Sequence, residues 1–371
     1  MFTLSHKKQI LDEKKVNLLG VLLTVFIVCK YYSNSLFAGT PVSKISMILT
    51  ILLSLVLIVN GIIKYNVFHY LLFGVLTIQF ILTRNITLIY SYILALGLIN
   101  IDIRKIMKTY VVANLVFLTI FIVANTLGIK PTEFINGRND FGFGNPNGAF
   151  IAAFLVWISY LYIKFDNIDK FDILFLVAFP IVVYTQTKTR TGLITVVGVV
   201  ILLSIFKLID IRKYWIKIFL ASMPFILLGI SLIIAYGLNE HYMLNRVLSH
   251  RPLYWYQYLS NSEYGLNLIG YGSNIREIVF SPRLPLDSGY IWGIYSSGII
   301  TFVLLMAIYT YAIYQLCNQN KKSEVILILS IFIYAFAESI LLDLGTNITF
   351  VFVAYALYIL GDNWRRGKRR I

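Results

Sequence analysis

The residues best equipped for chemistry in this chain are cations set among glycines, amides and carboxylates, in four short stretches. The first is Gly137-Arg138-Asn139-Asp140-Phe141-Gly142-Phe143-Gly144-Asn145-Pro146-Asn147. Its glycines and Asn-Pro step form a compact turn, and Asn147 can cap the helix that follows. As structure alone it is a helix entrance; as a site it offers Arg138 and the Asn amides to a sugar or phosphate. The second is Thr185-Gln186-Thr187-Lys188-Thr189-Arg190-Thr191-Gly192, which opens a hydrophobic run. A helix N-terminus presents free N–H groups and partial positive charge, both suited to a phosphate. Lys188 and Arg190 strengthen that reading, because two cations so close repel one another unless a partner neutralises them.

The third stretch is a polar excursion of the chain, 238–286, carrying Arg246, His250, Arg251, Arg276, Arg283 and the run Tyr254-Trp255-Tyr256-Gln257-Tyr258. Pro252 suits the first turn of a helix, with Ser249 or His250 before it. Arg251 and Trp255 are then four apart on one face, where the ring can brace the guanidinium, and Tyr254 and Tyr258 form a neighbouring stripe. Such aromatics serve either as an interfacial belt or as stacking faces for sugars. Further on, Gly270-Tyr271-Gly272 is a tight turn, too short for a nucleotide loop. The fourth stretch is Leu286-Asp287-Ser288-Gly289-Tyr290-Ile291-Trp292-Gly293. Asp287 could accept a proton from a sugar hydroxyl or hold an arginine in place; alternatively Asp287 or Ser288 merely caps the next helix.

The elements that must position these stretches are hydrophobic. Of the 371 residues, 58% are hydrophobic and 13% charged, against about 45–50% and about 25% in a soluble domain. The chain reads as an all-α polytopic membrane protein, one transmembrane domain over 1–371 with the loop 238–286 inside it. Twelve spans are expected, near 16–32, 45–63, 67–82, 86–101, 110–129, 148–163, 171–184, 192–209, 218–237, 288–314, 324–342 and 347–360. The first lacks a following small-residue cleavage site and reads as a retained span. Cys29 and Cys317 lie in or beside different runs and give no disulfide framework, and no His/Cys/carboxylate spacing suggests a metal.

Most of the 32 lysines and arginines lie in one set of alternate loops, from Lys7 and Lys8 through Arg104, Lys105, Arg212 and Lys213 to the tail Arg365–Arg370. The positive-inside rule makes that set cytoplasmic, with both termini inside and the large loop outside. The net charge of +15 is thus spread along membrane flanks and does not form a nucleic-acid surface. Outside, positive charge works against the rule, yet 130–147, 185–191 and 238–286 carry it. An anionic ligand accounts for it; pairing with Glu133, Asp140, Glu240, Glu263 or Glu277, or with lipid phosphate, is the alternative. His69 and Gln79 read as interhelical hydrogen-bonders. Glu338 and Asp343, carboxylates at membrane depth on the eleventh run, are expected either to pair with an outer arginine or to serve a proton path.

Taken in order, these motifs resemble those of the Wzy-type polysaccharide polymerases and the related O-antigen ligases. The resemblance lies in Asn145-Pro146-Asn147, Thr189-Arg190-Thr191-Gly192, Arg251-Pro252-Leu253-Tyr254-Trp255, Gly270-Tyr271-Gly272, and Asp287 with Gly298-Ile299-Ile300. It implies a GT-C-like polymerase/ligase fold in the bacterial cytoplasmic membrane. It also implies a metal-independent glycosyltransferase, without cofactor, that joins oligosaccharide repeat units carried on undecaprenyl pyrophosphate at the outer leaflet. Arg190, Arg251 and Asp287 would be catalytic; Arg138, Asn147, Lys188, Trp255, Tyr258 and Arg276 would bind substrate. Where the ligase branch has His near the last motif, this chain has Asp287, which favours polymerase. The implied partners are the lipid-linked oligosaccharide, membrane lipid, a chain-length regulator and a flippase, with no nucleic acid. The competing readings are a flippase for the same lipid-linked unit, which would call for two similar halves that the sequence lacks, and a ligase-type glycan transferase.

Overall fold

The computed structural model describes residues 13–36, 40–61, 63, 65–129, 134–135 and 137–368. Lys7, Lys8, Lys130, Glu133, Arg369 and Arg370 lie outside the described residues. Nine helices lead to the large loop: α1 (Glu13–Leu36), α2 (Pro41–Asn60), α3 (Val67–Thr83), α4 (Thr87–Leu98), α5 (Ile103–Thr126), α6 (Pro146–Lys164), α7 (Lys170–Thr187), α8 (Arg190–Leu208) and α9 (Tyr214–Gly237). A two-residue hairpin, β1 (Phe134–Ile135) with β2 (Arg138–Asn139), stands before α6. The loop itself holds α10 (Tyr242–Val247), α11 (Arg251–Leu259) and α12 (Ile275–Val279). Three helices close the chain: α13 (Gly289–Asn318), α14 (Lys322–Ala335) and α15 (Val351–Lys368).

Among the described residues eight helices are long and apolar enough to cross a membrane: α1, α2, α5, α6, α7, α8, α9 and α13. The other four expected spans form helices that fall short by length or polarity. With 17, 12 and 14 residues, α3, α4 and α14 reach only ~25, ~18 and ~21 Å at 1.5 Å per residue, against a hydrocarbon core of about 30 Å. The last helix, α15, runs into Asp362, Arg365 and Arg366 before it ends. The short α4 survives inside protein: Leu88 to Leu98 is buried almost throughout, packed against α2, α3 and α15.

The expected eleventh run also ends early, at Ala335, and 336–347 is irregular backbone. Bundle side chains satisfy its polar groups. Ser91 Oγ donates to the Leu342 carbonyl at 2.8 Å and accepts from Leu344 N, Tyr110 OH donates to the Gly345 carbonyl at 2.6 Å, and Asn347 Nδ2 donates to the Leu341 carbonyl at 2.8 Å. Irregular backbone at this depth is tolerated where protein supplies such partners. Glu338 and Asp343 therefore sit on this segment and not on a helix. His69 is structural as expected: it completes the capping box with Asn66 at the start of α3, and its Nε2 lies 3.1 Å from the Ala354 carbonyl.

The loop is stitched to the bundle through a break in α13. Gly298 (φ 81, ψ 160) interrupts the helix in a backbone region open essentially to glycine. Residues 267–271 bond to the freed groups: Ile299 N to the Asn267 carbonyl at 3.1 Å, Ile300 N to the Leu268 carbonyl at 3.2 Å, and Tyr271 N to the Ser296 carbonyl at 3.0 Å. Backbone meets backbone so closely that a Cβ on Gly298 would lie 2.2 Å from Ile269 C. Above this seam Trp255, Tyr258, Leu259, Ile275, Leu286, Ile291 and Tyr295 form a second core. Three tyrosines there satisfy loop carbonyls: Tyr258 OH to Leu284 at 2.9 Å, Tyr295 OH to Tyr264 at 2.7 Å and Tyr271 OH to Gly265 at 2.6 Å.

Gly298→Ala should therefore cost about 3 kcal/mol, combining backbone strain and overpacking. Thermal unfolding of the purified protein in detergent measures it, with Gly229→Ala, which meets nothing within 4 Å, as control. Equal midpoints for the two variants would show that the seam carries no stability.

Candidate functional site

The site is built where β2, the α7–α8 turn and the heads of α6 and α13 meet the 336–347 segment and α11 of the loop. The α7–α8 turn is only Lys188 and Thr189, and it closes because Lys188 adopts the left-handed conformation (φ 48) as the C-cap of α7. That places Arg190 in the first turn of α8. The Thr189 side chain makes no cap bond to α8; instead Arg138 Nη2 donates to its Oγ1 at 3.1 Å. Gly192 lets α8 approach α6 closely, since a Cβ there would lie 2.3 Å from the Phe150 ring.

At the head of α6 the cap is Asn145 and not Asn147: the Asn145 side chain accepts from Asn147 N at 2.9 Å, with Pro146 in the first turn. Asn147 is thereby freed for a longer reach. Its Oδ1 accepts from Arg138 Nη2 at 2.7 Å and its Nδ2 donates to Glu338 Oε1 at 3.0 Å. Arg138 Nε is fixed by the Thr187 carbonyl at 2.8 Å.

From the loop, Arg251 enters at the start of α11. Ser249 (φ 54) and His250 (φ 60) precede it, both left-handed, at about 1–2 kcal/mol of strain each. The buried Arg251 guanidinium then meets two carboxylates through one nitrogen, Nη2 at 3.3 Å from Glu338 Oε1 and 3.3 Å from Asp287 Oδ2. Asp287 is free for this because Ser288 takes the capping role, accepting from Ile291 N. A continuous chain of polar contacts results, Arg138–Asn147–Glu338–Arg251–Asp287, joining β2, α6, the 336–347 segment, α11 and the head of α13.

Beside this chain is a cleft of about 430 Å³ lined by Arg138, Asn147, Tyr184, Lys188, Arg190, Thr191, Val247, Ser249 and Arg251. Lys188 and Arg190 are exposed on its wall, and among the described residues neither forms an ion pair. Burial first, then the charges of Arg251 and Arg190, hold the Arg138 guanidinium below its ordinary value, with Glu338 opposing them. Four cations around one opening make a strongly anion-seeking surface. Asp287 and Glu338 reach it through Arg251; the Asp287 side chain keeps 30% of its exposure and the Glu338 side chain 6%.

The structure thus brings together Arg138, Asn147, Lys188, Arg190, Arg251 and Asp287. It does not bring Trp255, Tyr258 or Arg276 to the cleft wall. Trp255 and Tyr258, expected to offer stacking faces to sugar, are 1% and 0% exposed. Trp255 packs edge-on against Phe336, and Tyr258 against Phe280 and Tyr295. The Arg251–Trp255 spacing puts both on the buried face of α11, but the Trp255 ring enters the loop's own core while Arg251 reaches the carboxylates and the cleft. The guanidinium resting on an indole is that of Arg276, over Trp292. Asp343, the other carboxylate at depth, pairs with Lys30 at 3.0 Å. Tyr184 and Val247 carry no sequence signal of their own, Thr191 and Ser249 read only as helix-entrance positions, and Glu338, expected as a buried carboxylate that pairs with an outer arginine or serves a proton path, pairs with Arg251.

Glu338→Ala would leave Arg251 with Asp287 as its one carboxylate and leave the Asn147 amide without its acceptor, and should lower stability by about 1–3 kcal/mol; Glu338→Gln, which keeps one acceptor, should lose less. Trp255→Ala should also cost about 3–5 kcal/mol of stability, and so lower the unfolding midpoint, because the ring is core. Thermal unfolding in detergent checks all three, and an unshifted midpoint for Glu338→Ala would remove the chain of contacts as a support of the site. Comparison with protein-family models, with curated proteins and with solved structures finds no match to this chain.

Proposed function

We propose that this protein is a polysaccharide polymerase of the bacterial cytoplasmic membrane, joining oligosaccharide repeat units carried on undecaprenyl pyrophosphate. The observation that carries the reading is the convergence of Arg138, Lys188, Arg190 and Arg251 on one cleft of about 430 Å³. The ordered motifs set out above supply the reaction class. All four cations belong to segments that the charge distribution of the loops assigns to the outer side, where positive charge serves no topological purpose.

In the proposed reaction an acceptor sugar hydroxyl attacks the anomeric carbon of the growing chain. The new glycosidic bond forms as the bond from that carbon to the carrier pyrophosphate breaks, and the pyrophosphate leaves with the electron pair. Negative charge grows on the leaving oxygens, so preorganised cations stabilise the transition state more than the ground state. Arg190, exposed at the uncapped start of α8, and Arg251, fixed by two carboxylates, are the groups for that task, with Arg138 and Lys188 beside them. Asp287, the more exposed of the two carboxylates on Arg251, takes the proton of the attacking hydroxyl. Glu338 positions Arg251.

Purified protein supplied with the lipid-linked repeat unit should build a ladder of longer glycans without nucleotide sugar. A single transfer to another acceptor would indicate a ligase, and an active preparation that only moves units across vesicles would indicate a flippase. Arg190→Ala should lower the rate by about 10²–10³-fold, the usual cost of removing one donor from developing charge, with unfolding unchanged because Arg190 is exposed. A normal ladder from Arg190→Ala would take that residue out of the mechanism.

A further inference from the structure

Away from the cleft wall the loop holds a second pair of cations. Arg276 lies on α12 with its guanidinium carbon 3.7 Å from the ring centre of Trp292, in the first turn of α13. Its Nε is buried and makes no hydrogen bond. Arg283 is exposed on the segment that leads back to the bundle. Among the described residues neither arginine forms an ion pair.

The two act on each other. Burial first, and then the charge of Arg283, push the Arg276 pKa down to about 10, against the pull of Asp287 and Tyr258. Burial holds the Tyr258 hydroxyl above its ordinary value, with Arg276 and Arg283 opposing that shift and Asp287 adding to it. Two neighbouring arginines, neither of them held in an ion pair, destabilise one another, and an anion placed between them removes that repulsion. Stacking on Trp292 also fixes the plane of the Arg276 guanidinium, so that its donor edge is preorganised for a planar or tetrahedral oxyanion.

Asp287 connects this pair to the cleft: it bonds Arg251 at 3.3 Å and lies within the field of Arg276. Arg276 therefore lies within electrostatic reach of the carboxylate that is bonded to the cleft's Arg251. We propose that Arg276 and Arg283 form a second anion subsite, taking the carboxylate or phosphate of an acidic sugar within the repeat unit. The inference rests on the polymerase reading and adds the substrate class to it: a charged glycan, not a neutral one.

The test uses the full-length protein in lipid nanodiscs and measures equilibrium binding of three probes. These are an undecaprenyl-pyrophosphate-linked disaccharide ending in glucuronate, its carboxyl-reduced counterpart ending in glucose, and undecaprenyl pyrophosphate without sugar. The protein should hold the glucuronate form about tenfold more tightly than the reduced form, as one charge-assisted contact allows. The double variant Arg276→Gln with Arg283→Gln should hold both forms as the unaltered protein holds the reduced one, and should keep its affinity for the bare carrier. Arg283→Gln alone, at an exposed position, should lose about half of the preference on a logarithmic scale, and it decides the matter if the double variant fails to fold. Equal affinity of the unaltered protein for the two glycan forms overturns the subsite, as does a preference that survives the substitutions. Weakened binding of the bare carrier by the variants overturns it too, by assigning the pair to a pyrophosphate. If the unaltered protein binds none of the three, the polymerase reading itself falls.

Discussion

A buried carboxylate has to be held by cations and donors, and Glu338 is held by Arg251 from the loop and Asn147 from α6. An unpaired charge there would cost several kcal/mol, so the pairing constrains every element that contributes to it. The 336–347 segment must be irregular to present Glu338 sideways, and Ser91 of α4, Tyr110 of α5 and its own Asn347 must supply the side chains that satisfy its backbone. α6 must be capped by Asn145 so that Asn147 is free. The loop must deliver Arg251 inward, which it does through two left-handed residues. Take the ion pair away and the cleft loses the contact that ties its loop wall to its bundle wall.

The second constraint is the seam at Gly298. An interrupted helix exposes backbone donors and acceptors, and in an apolar surrounding those must find partners. Residues 267–271 provide them, with Gly270 and Gly298 both lacking the side chains that would hold the strands of backbone apart. A 30-residue helix thereby becomes a dock for the loop, and the same α13 carries Asp287 just before its first turn and Trp292 within it. The geometry of the loop relative to the cleft follows from this seam, and the aromatic residues Trp255, Tyr258 and Tyr295 serve to fill the space above it.

Electrostatically the site is unfinished. Arg251 is neutralised by protein, whereas Lys188, Arg190, Arg276 and Arg283 form no ion pair among the described residues. Cations kept in proximity at this cost are suited to polyanionic ligands, and they fall into two groups, Lys188 and Arg190 on the cleft wall and Arg276 with Arg283 in the loop. That division is what a lipid pyrophosphate bearing a charged glycan would require.

Much of this was legible in the residues themselves. Length and composition specify apolar helices because backbone in lipid must satisfy itself, and the Asn-Pro, Thr-Arg-Thr-Gly and Arg-Pro stretches mark where helices start with cations beside them. Arg138, Lys188, Arg190, Arg251 and Asp287 could all be singled out from local chemistry. Side-chain direction and partner choice could not. Trp255 sits four residues from Arg251 whether its face meets solvent or core, and only packing against Phe336 and α9 turned it inward. Asn147 looks like a cap until Asn145 takes that role. Glu338 reads as a buried carboxylate that calls for an outer arginine or a proton path, but not for Arg251 in particular, 87 residues away; contacts across such separations arise only when the chain folds, because no local periodicity encodes them.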